Sequence, residues 1–299
     1  MIRPACLKKG DKIAIVSPAR SISFKEVHQA IRMFIRYDLE VVLGSYVFGK
    51  YNQFAGTDDQ RCRDFQQMLD DDQIRAIICS RGGYGTVRII DQLDFSRFCT
   101  NPKWIVGYSD ATVLHAHINK LFGVETLHAT MPGNIGKNAD DESVESMMDA
   151  LLGQPIAYEH PTGLLSRKGE AKGVLVGGNL SILNNLAGTI SSPDTTGKIL
   201  FLEDLDEYLY HIDRMMMNLK RSGKLRKLSG LIVGGMSGMK DNPIPFGKTA
   251  NEIIAEAVKD YSYPVCYDFP SGHLDKNLAL IMGRQVHLKV GNTVEIVFY

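Results

Sequence analysis

Apolar residues in the first half of the chain fall into short unbroken runs separated by amphipathic stretches. KIAIV, EVVLG, IRAIICS and KWIVGYS are rich in Ile and Val with little polar alternation, the mark of strands buried on both faces. Between and after them, FKEVHQAIRMFIRYD, DQRCRDFQQMLDD and ATVLHAHINKLF place apolar residues at helical spacing, and GTVRIIDQL fills the remaining helix position. This βαβα succession predicts a parallel sheet covered by helices on each side, with ligands gathering at the carboxyl ends of its strands.

The pattern changes over 136–170, where a short helix, two prolines, several glycines and mixed charges read as a linker. It separates an N-terminal α/β domain, 1–135, from a mixed α/β C-terminal domain, 171–299. The second domain reads as strand GVLVGGN, helix LSILNNLAG, strand KILFLED, amphipathic helix YLYHIDRMMMNLKRSGKL, strand GLIVGGM, helix TANEIIAEAVKDY and strand PVCYDF. Two alternating runs joined by a Gly-Asn turn predict a closing hairpin.

Composition narrows the class. The 299 residues are 44% hydrophobic and carry 34 Lys+Arg against 34 Asp+Glu, a net charge of zero, so nothing draws the chain toward nucleic acid or anionic lipid. No apolar run approaches the roughly 18 residues of a membrane span, and charges interrupt the N-terminal segment. A cytoplasmic location is therefore expected. The five cysteines are widely separated and form no CxxC pair, which predicts reduced thiols and supports neither a disulfide framework nor a zinc knuckle.

Candidate chemistry starts at KWIVGYSDATVLHAHINKLF, where a buried strand runs directly into a helix with Ser109 at the junction. A sharp turn there exposes the hydroxyl, and the helix N-terminus offers positive potential and unpaired N–H groups. The residues Gly107, Tyr108, Ser109, Asp110 and Ala111 lack the second glycine of a GxSxG elbow, and Ser and Asp also cap helices routinely, so the local match alone is weak. Among the eight histidines, His28, His115, His117 and His211 lie in helical patterns and His287 in a strand, whereas His273 follows an apolar strand into a loop, PVCYDFPSGH, a place that suits a catalytic base and equally an ordinary loop histidine. An orienting acid is available in FLEDLDEY; local pattern does not choose among Glu203, Asp204, Asp206 and Glu207, although Glu203 is nearest the strand end. Gly82, Gly83 and Gly85 form a turn without the lysine of a P-loop or the spacing of a dinucleotide fingerprint, but they let backbone N–H groups approach a ligand. Gly177 and Gly178 read as a structural turn. His115 and His117 are two apart on a helix and face different ways, so no metal site is predicted.

Taken together, SRGGYGT at 80–86, GYSDAT at 107–112, GGNLS at 177–181, FLED at 201–204 and SGH at 271–273 resemble the LD-carboxypeptidase family of serine peptidases, which includes the microcin-immunity peptidases. The resemblance spans nearly the whole chain. It implies a flavodoxin-like or glutamine-amidotransferase-like N-terminal domain and a swivelling β/β/α C-terminal domain, usually in a homodimer. It further implies a triad of Ser109 as nucleophile, Glu203 as orienting acid and His273 as base, with an oxyanion hole from the backbone N–H groups of Gly83 and Asp110 and no cofactor. The implied substrate is a murein tetrapeptide, cleaved at its L,D bond to release terminal D-alanine during peptidoglycan recycling. Arg81 is a candidate partner for the substrate's terminal carboxylate.

Two alternatives remain. The microcin-type relatives cleave aminoacyl adenylates and stack an aromatic residue, often Trp, from a longer loop near the acid. Here the only tryptophan, Trp104, lies in the strand before Ser109, and no long insertion follows Glu203, which favours the recycling branch. The other is a non-catalytic ligand-binding module on the same scaffold.

Overall fold

The computed structural model describes all residues, 1–299. In chain order the elements are β1 (Lys12–Val16), α1 (Phe24–Arg36), β2 (Glu40–Leu43), α2 (Asp58–Asp70), β3 (Ile74–Cys79), α3 (Ser96–Thr100), β4 (Trp104–Val106), α4 (Thr112–Leu121), β5 (Thr126–His128), α5 (Asp141–Leu152), β6 (Ala157–Pro161) and β7 (Gly169–Asn179). They continue with α6 (Leu180–Asn185), β8 (Ile199–Leu205), α7 (Leu209–Arg221), β9 (Gly230–Ser237), α8 (Ala250–Ala257), β10 (Val265–Cys266), β11 (Leu280–Met282), β12 (Gln285–Val290) and β13 (Thr293–Phe298).

Two sheets result. The first has the order β11-β5-β4-β3-β1-β2 and is parallel from β5 to β2; the Ile- and Val-rich runs of β1, β3 and β4 are buried as expected, whereas β2, at the sheet edge, is only partly buried. The chain reverses its direction of travel between β1 and β3, and the carboxyl ends beside that switch point form a natural crevice. The second sheet, β10-β9-β8-β7-β12-β13-β6, is parallel over β7 to β10 and antiparallel over the rest, with β12 and β13 forming the hairpin around Gly291 and Asn292.

The structure differs from the sequence reading in several places. GTVRIIDQL forms two single 3-10 turns, Thr86–Arg88 and Ile90–Gln92, and no α-helix. The backbone N–H of Thr86 is already committed to the Asp110 carboxylate at 2.8 Å, and a tight turn accommodates that bond. Gly177 and Gly178 belong to β7 and not to a turn: a Cβ on Gly177 would lie 2.0 Å from the Phe201 carbonyl oxygen, and one on Gly178 2.6 Å from Thr112 Oγ1. Both glycines permit close backbone approach.

Residues 136–170 are structured. Met147, Met148 and Leu151 of α5 enter the same core as Ile13 and Val106 of the first sheet and Phe34 of α1, and β6 pairs with β13. The three-residue β11, from the far end of the chain, pairs antiparallel with β5 at the edge of the first sheet, so the C-terminal segment contributes strands to both sheets. Where the two lobes meet, Arg284 donates to Glu125 through Nε at 3.1 Å and Nη2 at 2.5 Å, with both side chains almost fully buried. Met215 and Met216 pack in the core under α7 while Met217 faces solvent, and all five cysteines are free.

Candidate active site

Strand β4 ends at Val106, and the chain turns through Gly107 and Tyr108 into the 3-10 turn Ser109–Ala111 and then α4. Ser109 takes φ +62°, the left-handed region, which costs a non-glycine residue about 1–2 kcal/mol and is sustained only by surrounding structure. That support is visible. Ala111 N–H bonds the Tyr108 carbonyl at 3.2 Å, and Gly107, at φ +155°, packs where a Cβ would meet Cys79 Cβ at 3.0 Å. His115, one turn into α4, donates from Nε2 to the Gly107 carbonyl at 2.8 Å and accepts at Nδ1 from Thr126 Oγ1 at 2.9 Å. Burial pulls its pKa down to about 4, so the neutral ring can play both roles.

Glu203 lies at the end of β8 and is completely buried. His273, in the loop beyond β10, donates to Glu203 Oε2 twice: from Nδ1 at 2.6 Å and from its backbone N–H at 3.2 Å. Gly272, at φ +108°, makes this possible, since a Cβ there would sit 2.7 Å from Glu203 Oε2. Burial is the largest influence on His273 and lowers its pKa, but the charge and hydrogen bond of Glu203, with the charges of Asp204 and Asp206, outweigh it; the net direction is upward. The His273 ring packs on Tyr108, the residue before Ser109, with centroids 4.8 Å apart. No hydrogen bond joins Ser109 to His273 in this structure; the two face a common cavity of about 420 Å³.

Among the four carboxylates at the end of β8, only Glu203 bonds His273. Asp204 accepts from Asn179 Nδ2 and Ser181 N–H, both at 2.9 Å, and burial with the neighbouring Glu203 charge pushes it up to about 7. Asp206 lines the cavity, and Glu207 pairs with His211 at 2.5 Å. His117 bonds Ser191 Oγ at 2.8 Å on the far side of α4 from His115, so the two histidines do point apart. No group of three or more His, Cys, Asp or Glu side chains is arranged to hold a metal.

The glycine turn after β3 reaches over Ser109: a Cβ on Gly82 would lie 2.8 Å from Ser109 Oγ. The N–H groups of Gly83 and Asp110 donate to no protein acceptor. Buried Arg61 braces this turn by donating to the Gly85 carbonyl at 2.9 Å and to the Pro18 carbonyl. Asp110 holds the Thr86 N–H, and burial raises its pKa despite that bond. Arg81 also lines the cavity, bonding the Ser21 carbonyl at 3.3 Å and Glu26 at 3.8 Å.

Three features of the site are assigned no role by the sequence. Arg20 and Lys137 add positive charge to the cavity from separate loops. Thr112 Oγ1 accepts the Asn179 N–H at 3.0 Å, fastening the start of α4 to the end of β7. Ser143 and Ser146 of α5 accept the N–H groups of Asn277 and Ala279 at 2.7 and 3.0 Å, anchoring the loop that carries His273. A larger cavity of about 750 Å³, lined by Phe95, Phe122 and Ile190, contains none of the candidate residues and is mainly apolar. The smaller one holds the polar groups that chemistry requires.

Residues 13–129 match the LD-carboxypeptidase N-terminal domain and residues 172–288 the LD-carboxypeptidase C-terminal domain. A probable murein peptide carboxypeptidase of Bacillus subtilis (strain 168) is 32% identical over 303 residues, covering 99% of this chain and 94% of the relative. The crystal structure of muramoyltetrapeptide carboxypeptidase from Oxalobacter formigenes superposes with a TM-score of 0.87 at 27% identity, covering 96% of this chain and 98% of the other. The microcin C7 self-immunity protein MccF in complex with aspartyl sulfamoyl adenosine shares the fold, with a TM-score of 0.89 at 21% identity over 100% of this chain and 99% of the other. With its strand topology and both domain matches in agreement, the chain belongs to the LD-carboxypeptidase family.

Proposed function

We propose that this protein is a serine-type LD-carboxypeptidase that hydrolyses the L,D bond of murein tetrapeptides and releases terminal D-alanine, in cytoplasmic peptidoglycan recycling. The observation that carries the reading is the convergence of a strained Ser109 and a Glu203-bound His273 on one polar cavity. A histidine whose Nδ1–H is held by a buried carboxylate keeps Nε2 free to take a proton. The names of the relatives support the same substrate class.

In this mechanism His273 removes the Ser109 proton as the hydroxyl attacks the scissile carbonyl, and Glu203 steadies the imidazolium. The Ser109–His273 hydrogen bond of this mechanism forms on substrate binding, as catalytic hydrogen bonds often tighten only in the complex. The unspent N–H groups of Gly83 and Asp110 receive the developing negative charge, each worth roughly 10²- to 10³-fold in rate. His273 then protonates the departing D-alanine amine, and water repeats the sequence on the acyl-enzyme.

Incubating the purified protein with a murein tetrapeptide, the corresponding pentapeptide and an aminoacyl sulfamoyl adenylate tests the reading. D-alanine release from the tetrapeptide at the highest kcat/KM supports it. Preferential adenylate cleavage moves the protein to the microcin-type branch, and binding without turnover of any substrate identifies a ligand-binding module.

A further inference from the structure

A carboxypeptidase must hold the substrate's terminal carboxylate a fixed, short distance from the scissile carbonyl. Only one residue separates the two groups, about 3.8 Å along the chain. Three cations line the cavity: Arg20, Arg81 and Lys137. Arg81 is already engaged by Glu26 and by the Ser21 carbonyl. Arg20 and Lys137 meet no carboxylate within ion-pair distance. Only Arg20 can be placed against the proposed oxyanion donor: a Cβ built on Gly83 would fall 2.1 Å from Arg20 Cδ and 2.4 Å from Cγ, so the arginine stem occupies the space that the missing side chain leaves. The backbone behind it is fixed by the bridge to Phe54 and by the Ser21 N–H to Gln53 carbonyl bond at 3.0 Å.

We propose that Arg20, laid across Gly83, is the specificity-determining residue that captures the terminal carboxylate of the substrate. Resting on the carboxypeptidase reading above, this explains why position 83 is glycine: any side chain would displace the stem and shift the guanidinium. A planar guanidinium also grips a carboxylate through two parallel N–H donors, which the point charge of Lys137 does not.

The test compares a tetrapeptide bearing a free terminal carboxylate with the same peptide as its terminal amide, using the wild type, Arg20→Gln, Arg20→Lys, Arg81→Gln and Lys137→Gln, with thermal melts to verify folding. Arg20→Gln is expected to raise KM for the free acid roughly tenfold to hundredfold with a smaller change in kcat, and to collapse the wild-type preference for acid over amide. Arg20→Lys should restore part of that preference. If Arg20→Gln keeps the acid-over-amide ratio, or Arg81→Gln or Lys137→Gln abolishes it instead, the assignment of Arg20 is overturned while the enzymatic reading stands. Failure of the wild type to cleave the tetrapeptide overturns both.

Discussion

His273 gives two hydrogen bonds to one oxygen of Glu203, from its ring Nδ1 at 2.6 Å and from its own backbone N–H at 3.2 Å. A single buried oxygen therefore fixes both the position of the loop and the tautomer of the ring. Glu203→Gln keeps the shape but removes the charge that stabilises an imidazolium, and its amide can turn a donor toward Nδ1. We predict a fall in kcat of about 10²- to 10⁴-fold with KM little changed, measured on D-alanine release.

The pH profile follows from the same pair. His273 must be neutral to act as a base, and its pKa lies above the ordinary imidazole value. The acidic limb of kcat/KM should accordingly fall above pH 6.5, and in Glu203→Gln any residual activity should titrate at lower pH, because burial then acts without the opposing carboxylate. Stability runs the opposite way: the contribution of the protonated pair is complete below the unfolded imidazole pKa and is lost as pH rises through the higher folded value. An acidic limb that Glu203→Gln leaves unmoved would assign it to another group.

Two glycines separate access from architecture. Gly82→Ala would put a methyl group 2.8 Å from Ser109 Oγ, so we expect labelling by a fluorophosphonate to drop at least tenfold. Gly272→Ala combines φ +108° with a contact 2.7 Å from Glu203 Oε2, and should lower both the thermal midpoint and kcat, with a stability loss of about 1–3 kcal/mol. Equal labelling of Gly82→Ala and wild type would mean that the glycine turn does not cover the hydroxyl.

The Arg284–Glu125 pair joins the C-terminal segment to the first sheet in a buried setting. Removing one partner leaves an uncompensated charge, so Arg284→Met should cost about 3–5 kcal/mol in denaturant unfolding, and the double variant Glu125→Leu/Arg284→Met should recover much of that loss.

The parts of the fold legible in sequence were those with long, consistent periodicity. The apolar runs of β1, β3 and β8 and the helical spacing of α1, α2 and α7 each satisfied local and tertiary requirements together. Short elements were opaque. LIM of β11 has three residues and no period, and its pairing with β5 across more than a hundred residues leaves no local trace. The same limit applied to the site: Ser109 and Glu203 stand near the carboxyl ends of β4 and β8 and His273 in the loop that leaves β10, where a sequence pattern can point, whereas Arg20, Lys137 and the serines of α5 reach the site through tertiary folding alone.

Replacing Ser109 with alanine and measuring D-alanine release from the murein tetrapeptide tests the nucleophile assignment most directly. A folded Ser109→Ala protein should lose activity by at least about 10⁴-fold, to near the uncatalysed background. Release at the wild-type rate from that variant would contradict the assignment.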